Sequence, residues 1–217
     1  MYEKTLAKAI SLLKRWKIPY VEDDKIIDLF KNSFESKPMI RPYHIDYPNE
    51  DILRLIIDKK LEVYVEAKHD GTHIQLCKNG IFKHDGKPVS NDQLAGLLHI
   101  AYDNPQLIEK ILDAVRRGYV VEIELFGSKY TPMGFHLNHP KMFDLIVFEI
   151  GLNDCWFSPP EKYTLLEDME LPFPNYVELK PTNIESFKKK LEELASRKDF
   201  YEGAVAKANA IEAKGYR

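Results

Sequence analysis

Residues 65–76, VEAKHDGTHIQL, decide how the chain is read. Leu61, Val63 and Val65 alternate with polar neighbours, the period-two pattern of a half-buried strand running straight into Lys68. Asp70-Gly71 then reverses the chain, because glycine adopts backbone angles that other residues resist. Thr72, Ile74 and Leu76 alternate again, and Lys78-Asn79-Gly80 supplies a hairpin turn into the short segment Ile81–His84. A strand that ends in a tight turn presents its last lysine at the mouth of a sheet. The letters KHDG recur at Lys83–Gly86, but that copy follows the hairpin and precedes Gly86-Lys87-Pro88, itself a turn. A lysine acts as a nucleophile only once its amine has lost its proton, which nearby cations or desolvation promote. Of the two copies, Lys68 has the strand that such a placement needs.

Outward from this stretch the pattern is mixed. YVVEIELF at 119–126 and MFDLIVFEI at 142–150 read as strands, the first carrying Glu124 just before a glycine. YEGAVAK begins a last strand with Glu202 and ends with Lys207. Carboxylates at strand ends beside phosphate-seeking lysines suit the holding of Mg²⁺ and a triphosphate. Helical spacing marks Leu6, Ile10, Leu13, then Ile27, Phe30, Phe34, then Ile52, Leu53, Ile56, Ile57. Between them SKPMIRPYHIDYP, with three prolines, reads as an extended connector. A further helix starts at Asn104-Pro105 and ends at Gly118. SPPEKYTLLEDM opens with a cap and proline, and a capping box from Thr182 to Glu185 opens a helix with Ile184, Phe187, Leu191 and Leu194 inward. Hairpin strands among irregularly placed helices predict an α+β fold, antiparallel sheets flanked by helices, and not a doubly wound one. The expected organisation is a helical segment, 1–60, packed on a main domain, 61–217.

Composition sets bounds on function. With 217 residues, 44% hydrophobic and 30% charged, the chain is long and apolar enough for a sizeable core. Cys77 and Cys155 lie far apart, which excludes a disulfide framework and a cysteine zinc site. No apolar run approaches the roughly 20 residues of a membrane span, and the charged N-terminus lacks a signal peptide's apolar block, so a cytoplasmic protein is expected. The net charge of −3 leaves partners open. The lysines and arginine of residues 4–17 surround an apolar stripe, and a solvated helix face is slightly preferred there over a nucleic-acid contact. His69 and His73 are separated by a helix-breaking Asp-Gly and are no zinc face; His136 and His139 read as surface residues. There is no Gly-rich phosphate loop and no G-x-S-x-G.

Taken in order, E-x-K-x-D-G at Glu66–Gly71, E-L-F-G at Glu124–Gly127, the strand FDLIVFE, and E-G-x-V-x-K at Glu202–Lys207 resemble the covalent nucleotidyltransferases. These are the ATP-dependent RNA and DNA ligases and the mRNA capping guanylyltransferases. The D-G-T continuation is most similar to the adenylation domain of the RNA ligases. The resemblance implies a nucleotidyltransferase fold with ATP held between antiparallel sheets, ATP and Mg²⁺ as cofactors, and RNA ends or nicks as partners, with DNA as the other candidate. It implies that Lys68 is adenylylated on the turn of Asp70 and Gly71, that Glu66 lies beside the adenine, and that Phe143 stacks on the base. It places Glu124 at the ribose or the metal, Glu202 at the metal and Lys207 near the phosphates. His73 stands where arginine or asparagine is usual, and Lys83 or His84 where the family has an arginine-bearing turn. Ile123 replaces a common glycine, and the family's later K-x-K pair is not found, Lys214 and Arg217 being poor stand-ins. A DNA ligase, a GTP-using capping enzyme and a catalytically inactive nucleotide-binding module remain as alternatives.

Overall fold

The computed structural model describes residues 2–39, 50–153 and 155–208. Most of the proline-rich connector, and with it Lys214 and Arg217, lies outside the described residues. Along the chain, helices α1 (Tyr2–Trp16), α2 (Asp24–Asn32) and α3 (Glu50–Asp58) precede strands β1 (Val63–Lys68), β2 (Thr72–Cys77) and β3 (Gly80–Lys83). Helices α4 (Asn91–Asp103) and α5 (Pro105–Arg116) lead to strands β4 (Tyr119–Phe126), β5 (Asp144–Leu152) and β6 (Cys155–Trp156). Then come α6 (Pro159–Asp168), β7 (Tyr176–Leu179), α7 (Ile184–Ala195) and β8 (Gly203–Ala208).

The strands form two antiparallel sheets, one ordered β7-β1-β8 and the other β3-β2-β4-β5-β6. The fold is therefore α+β with antiparallel sheets flanked by helices, as the hairpin pattern predicts. Asp70-Gly71 carries the chain from one sheet to the other, so the KHDG turn is the corner between them. Gly71 is required there by close approach: a Cβ would meet the Leu125 carbonyl oxygen at 2.3 Å.

Each sheet buries one face under helices. In the larger sheet Ile74, Leu76, Ile81, Val121, Ile123, Leu125 and Val147 pack with residues of α1, α2, α4 and α5 in one cluster. In the smaller, Val63, Val65 and Ala67 pack with Leu53 and Ile56 of α3 and with Phe187 and Leu194 of α7. The first 60 residues thus contribute to both cores, α1 and α2 to the larger and α3 to the smaller.

Two local readings change, and one helix is not read from the sequence. β1 is buried at Val63 through Ala67 and not alternately, because its second face is covered by the other sheet and by α6. Helix α4 is nearly all buried and has no polar side to make an amphipathic stripe, so helical periodicity does not announce it. The cap of α7 is Asn183, whose side chain accepts from the Ser186 N–H at 2.8 Å, one residue beyond the expected Thr182.

Candidate active site

The second faces of the two sheets look at each other. Tyr64, Glu66 and Lys68 alternate onto that face of β1, with Lys207 paired opposite Tyr64 and Gly203 opposite Lys68. On the larger sheet His73 pairs with Glu124 and Gln75 with Glu122, which turns all four side chains toward the cleft. The strand pairing of β4 and β5 slips between Glu122 and Ile123, which face Glu149 and Val147 and leave Phe148 as an extra residue. Such a bulge re-aims side chains: both Phe148 and Glu149 reach groups of the cleft. The Phe148 ring lies edge-on to His73, with centroids 4.9 Å apart, and Lys207 Nζ sits 5.5 Å from its centre.

Lys68 marks the open end of this cleft. Its side chain is 46% exposed and its Nζ is ion-paired with Glu202. The Glu202 N–H donates to the Lys68 carbonyl at 3.1 Å, which fixes the two residues side by side. Glu124 is close enough to feel both. Burial pushes the Glu124 carboxyl up to about 8, and the charges of Glu202 and Asp70 add to this while Lys68 opposes it. Two carboxyl groups, Glu202 and Glu124, thus lie beside one lysine. Asp70 is already satisfied: it accepts from the Thr131 hydroxyl and from the N–H groups of Met133 and Phe135, and these hydrogen bonds outweigh its burial and hold its carboxyl below the usual range. Glu124 and Glu202 are left to face the lysine.

Deeper in the cleft lies a buried ion network. Glu66 accepts from Lys162, from Lys207 at 2.8 Å and from the Tyr163 hydroxyl at 2.6 Å. Glu149 completes it through Lys207 and, at 3.6 Å, Lys162. The Phe148 carbonyl accepts from both lysines, at 3.0 and 2.8 Å. Two cations and two anions balance, as buried charges must. Burial alone would raise the Glu66 carboxyl and lower the Lys207 amine, but their attraction overrides it, so Glu66 is lowered and Lys207 raised. His73 is tied to Glu122, which also accepts from Gln75 at 2.7 Å.

Among the described residues, no cluster of three or more His, Cys, Asp or Glu has the geometry to hold a metal ion. The pair Glu124 and Glu202 nevertheless fits Mg²⁺ in phosphate chemistry, where the protein supplies one or two carboxylates and phosphates and water the rest. Both lie beside the Lys68 amine and outside the buried ion network, which leaves them open to a cation.

No protein-family model matches the chain, and no curated protein matches it. Solved structures do. A variant of the Naegleria gruberi RNA ligase with AMP and Mn superposes with a TM-score of 0.60 over 88% of this chain and 58% of that one, at 15% identity. An apo form of that ligase gives 0.56 over 80% and 54%, at 16% identity. A putative ATP-dependent DNA ligase from Aquifex aeolicus gives 0.51 over 77% and 46%, at 22% identity. This is the nucleotidyltransferase fold of ligase adenylation domains. The chain spans about half the length of the ligases it matches.

Within the ligase fold, Glu66, Lys68, His73, Glu124, Glu202 and Lys207 stand together around one cleft. Three expected residues do not. Phe143 is 1% exposed in the helix-side core, its ring 6.2 Å from Trp16 and 5.7 Å from His99, so it offers no face to a base. Lys83 pairs with Ile74, whose side chain points to the helices, and lies 3.7 Å from Asp85; His84 is exposed in the turn beyond. Asp70 shapes a loop, and Gly71 gives the sheets room. The sequence reading passes over Phe148, Glu149, Lys162 and Tyr163. Phe148-Glu149 repeats the aromatic-acidic pair Phe143-Asp144 five residues on, which is the signal that finds it. Lys162 gives none, because a lysine in a capped helix reads as solvent-facing. Glu122, readable as a solvated strand position, and His136, readable as surface, are both buried.

Proposed function

We propose that the chain is the adenylation module of an ATP-dependent RNA ligase, acting through a lysyl-AMP intermediate. The observation that carries this reading is Lys68 at the strand end, ion-paired with Glu202 and with the Glu124 carboxyl beside it. The Lys68 amine, once deprotonated, attacks the α-phosphorus of ATP. A P–N bond forms, the P–O bond to the β-phosphate breaks, and pyrophosphate leaves in line. Glu202, hydrogen-bonded to the amine, is the group within reach of its proton. Glu124 and Glu202 would hold Mg²⁺, which neutralises the phosphates when bound. The adenine lies against Phe148, with Lys162 and Lys207 fixing the backbone beneath it. AMP then passes to a 5′-phosphate, and a 3′-hydroxyl displaces it.

RNA in preference to DNA rests on the D-G-T turn and on the likeness to the Naegleria ligase, and the Aquifex neighbour keeps DNA as the rival. Sealing assays on matched RNA and DNA strands, single-stranded and nicked, separate them. The expected result is joining where the 3′-hydroxyl strand is RNA; joining confined to DNA nicks transfers the proposal to DNA ligases. Label transfer from GTP but not from ATP would instead indicate a capping enzyme.

A further inference from the structure

Beside Lys68 lies a cluster of four packed rings that the adenylation chemistry does not use. His69 stacks on His136, centroids 5.3 Å apart and planes 17° from parallel, and Phe126 packs on both at 4.5 and 4.8 Å. Tyr201 completes the cluster, tilted against both histidines at 4.6 Å, and the residue is 37% exposed. Tyr201 bridges to the backbone of Lys68 and precedes Glu202. Its backbone has φ +49° and ψ −99°, a strained combination for a tyrosine. The neighbouring loop, tied to Asp70 through the N–H groups of Met133 and Phe135 and to Tyr201 through the His136 ring, carries exposed apolar side chains: Met133, Phe135 (51% exposed) and Leu137. Exposed Lys129 and Lys141 bracket the loop in sequence, Lys141 ion-paired with Asp144 at 3.1 Å and the Lys129 N–H donating to the Met142 carbonyl at 2.9 Å.

We infer that Tyr201 and Phe135 form a stacking platform for unpaired nucleobases at the strand end that receives AMP. An exposed aromatic ring held in place by packed rings offers a face to another flat ring, and every base has one whatever its identity. Exposed Lys129 at the edge of the loop suits a phosphate between such bases. Position argues the same: the phosphate that takes AMP must come to the Lys68 amine, so its own nucleotide lies within a residue's reach of Tyr201. The inference rests on the ligase reading for the direction of the strand, not for the platform itself.

The test uses fluorescence anisotropy with a labelled, 5′-phosphorylated single-stranded oligoribonucleotide and its blunt duplex. Wild type and Tyr201→Phe should bind the single strand alike and in preference to the duplex. Tyr201→Ala and Phe135→Ala should each weaken single-strand binding roughly 5- to 150-fold, the range for loss of one base–aromatic stack. Phe135 is exposed, so its variant reads the platform even if Tyr201→Ala fails to fold. Absent binding by wild type, equal affinity for the duplex, or indifference to Phe135→Ala overturns the platform; the first of these leaves the apolar loop to a protein partner. Label transfer from ATP is followed in parallel. Oligonucleotide binding without labelling keeps the platform and removes the adenylation reading, whereas labelling without binding does the reverse.

Discussion

Glu124 and two phenylalanines test the site at the scale of single residues. Glu124 is ionised in the unfolded chain above its ordinary value of 4.5, but in the folded protein it holds its proton up to about 8. Between those values the folded state binds the extra proton, so stability falls as pH rises and levels off above about 8. In metal-free buffer, denaturant midpoints should therefore drop from pH 5 to pH 8, by up to about 4 kcal/mol in unfolding free energy. Glu124→Gln should flatten the profile, and a slope unaltered in that variant would place the titration elsewhere. Phe143 and Phe148 should separate cleanly. Phe143→Ala empties a filled core position and should cost about 3–5 kcal/mol of stability while ATP affinity holds in whatever fraction stays folded. Phe148→Ala should do the opposite, weakening ATP binding by about 1–3 kcal/mol with a smaller loss of stability. Calorimetric titration of both variants decides between them, and reversed phenotypes would return Phe143 to the base.

At the scale of elements, β1 shows why a strand pattern misleads when both faces are covered. Val63 and Val65 pack on α3 and α7 as any alternating strand would, but Glu66 on the opposite side is equally buried, because α6 brings Lys162 and Tyr163 over it. Removing one partner from such a network strands the others. Lys162→Met should lower stability by about 3–5 kcal/mol, and pairing it with Glu66→Gln should cost clearly less than the two single losses added. Additive losses in that double-mutant cycle would mean the two charges do not interact. The bulge in β5 makes the same point about register. Sequence alternation places Phe148 and Glu149 on opposite faces, and only the slipped pairing against β4 brings both to the cleft. Strand ends with turn residues were legible because glycine and proline act locally; Lys162 was not, because its partner is 96 residues away.

For the whole molecule, the order of the four short motifs along the chain contained the fold. They lie on β1, β4, β5 and at the start of β8, and the two antiparallel sheets bring Lys68, Glu124 and Glu202 together from positions far apart in sequence. Lys83 shows the limit of motif letters, since its KHDG belongs to a hairpin end whose lysine shares a face with Ile74. Long-range pairing, not local composition, distinguishes the two copies. The central claim is that Lys68 alone forms the covalent bond to AMP. Incubation with Mg²⁺ and ATP labelled at the α-phosphate, followed by denaturing electrophoresis, tests it directly. Wild type and Lys83→Ala should carry label that is lost in acid and survives base, as a phosphoramidate does, and Lys68→Ala should carry none. Label persisting in Lys68→Ala, or lost in a folded Lys83→Ala, would contradict it.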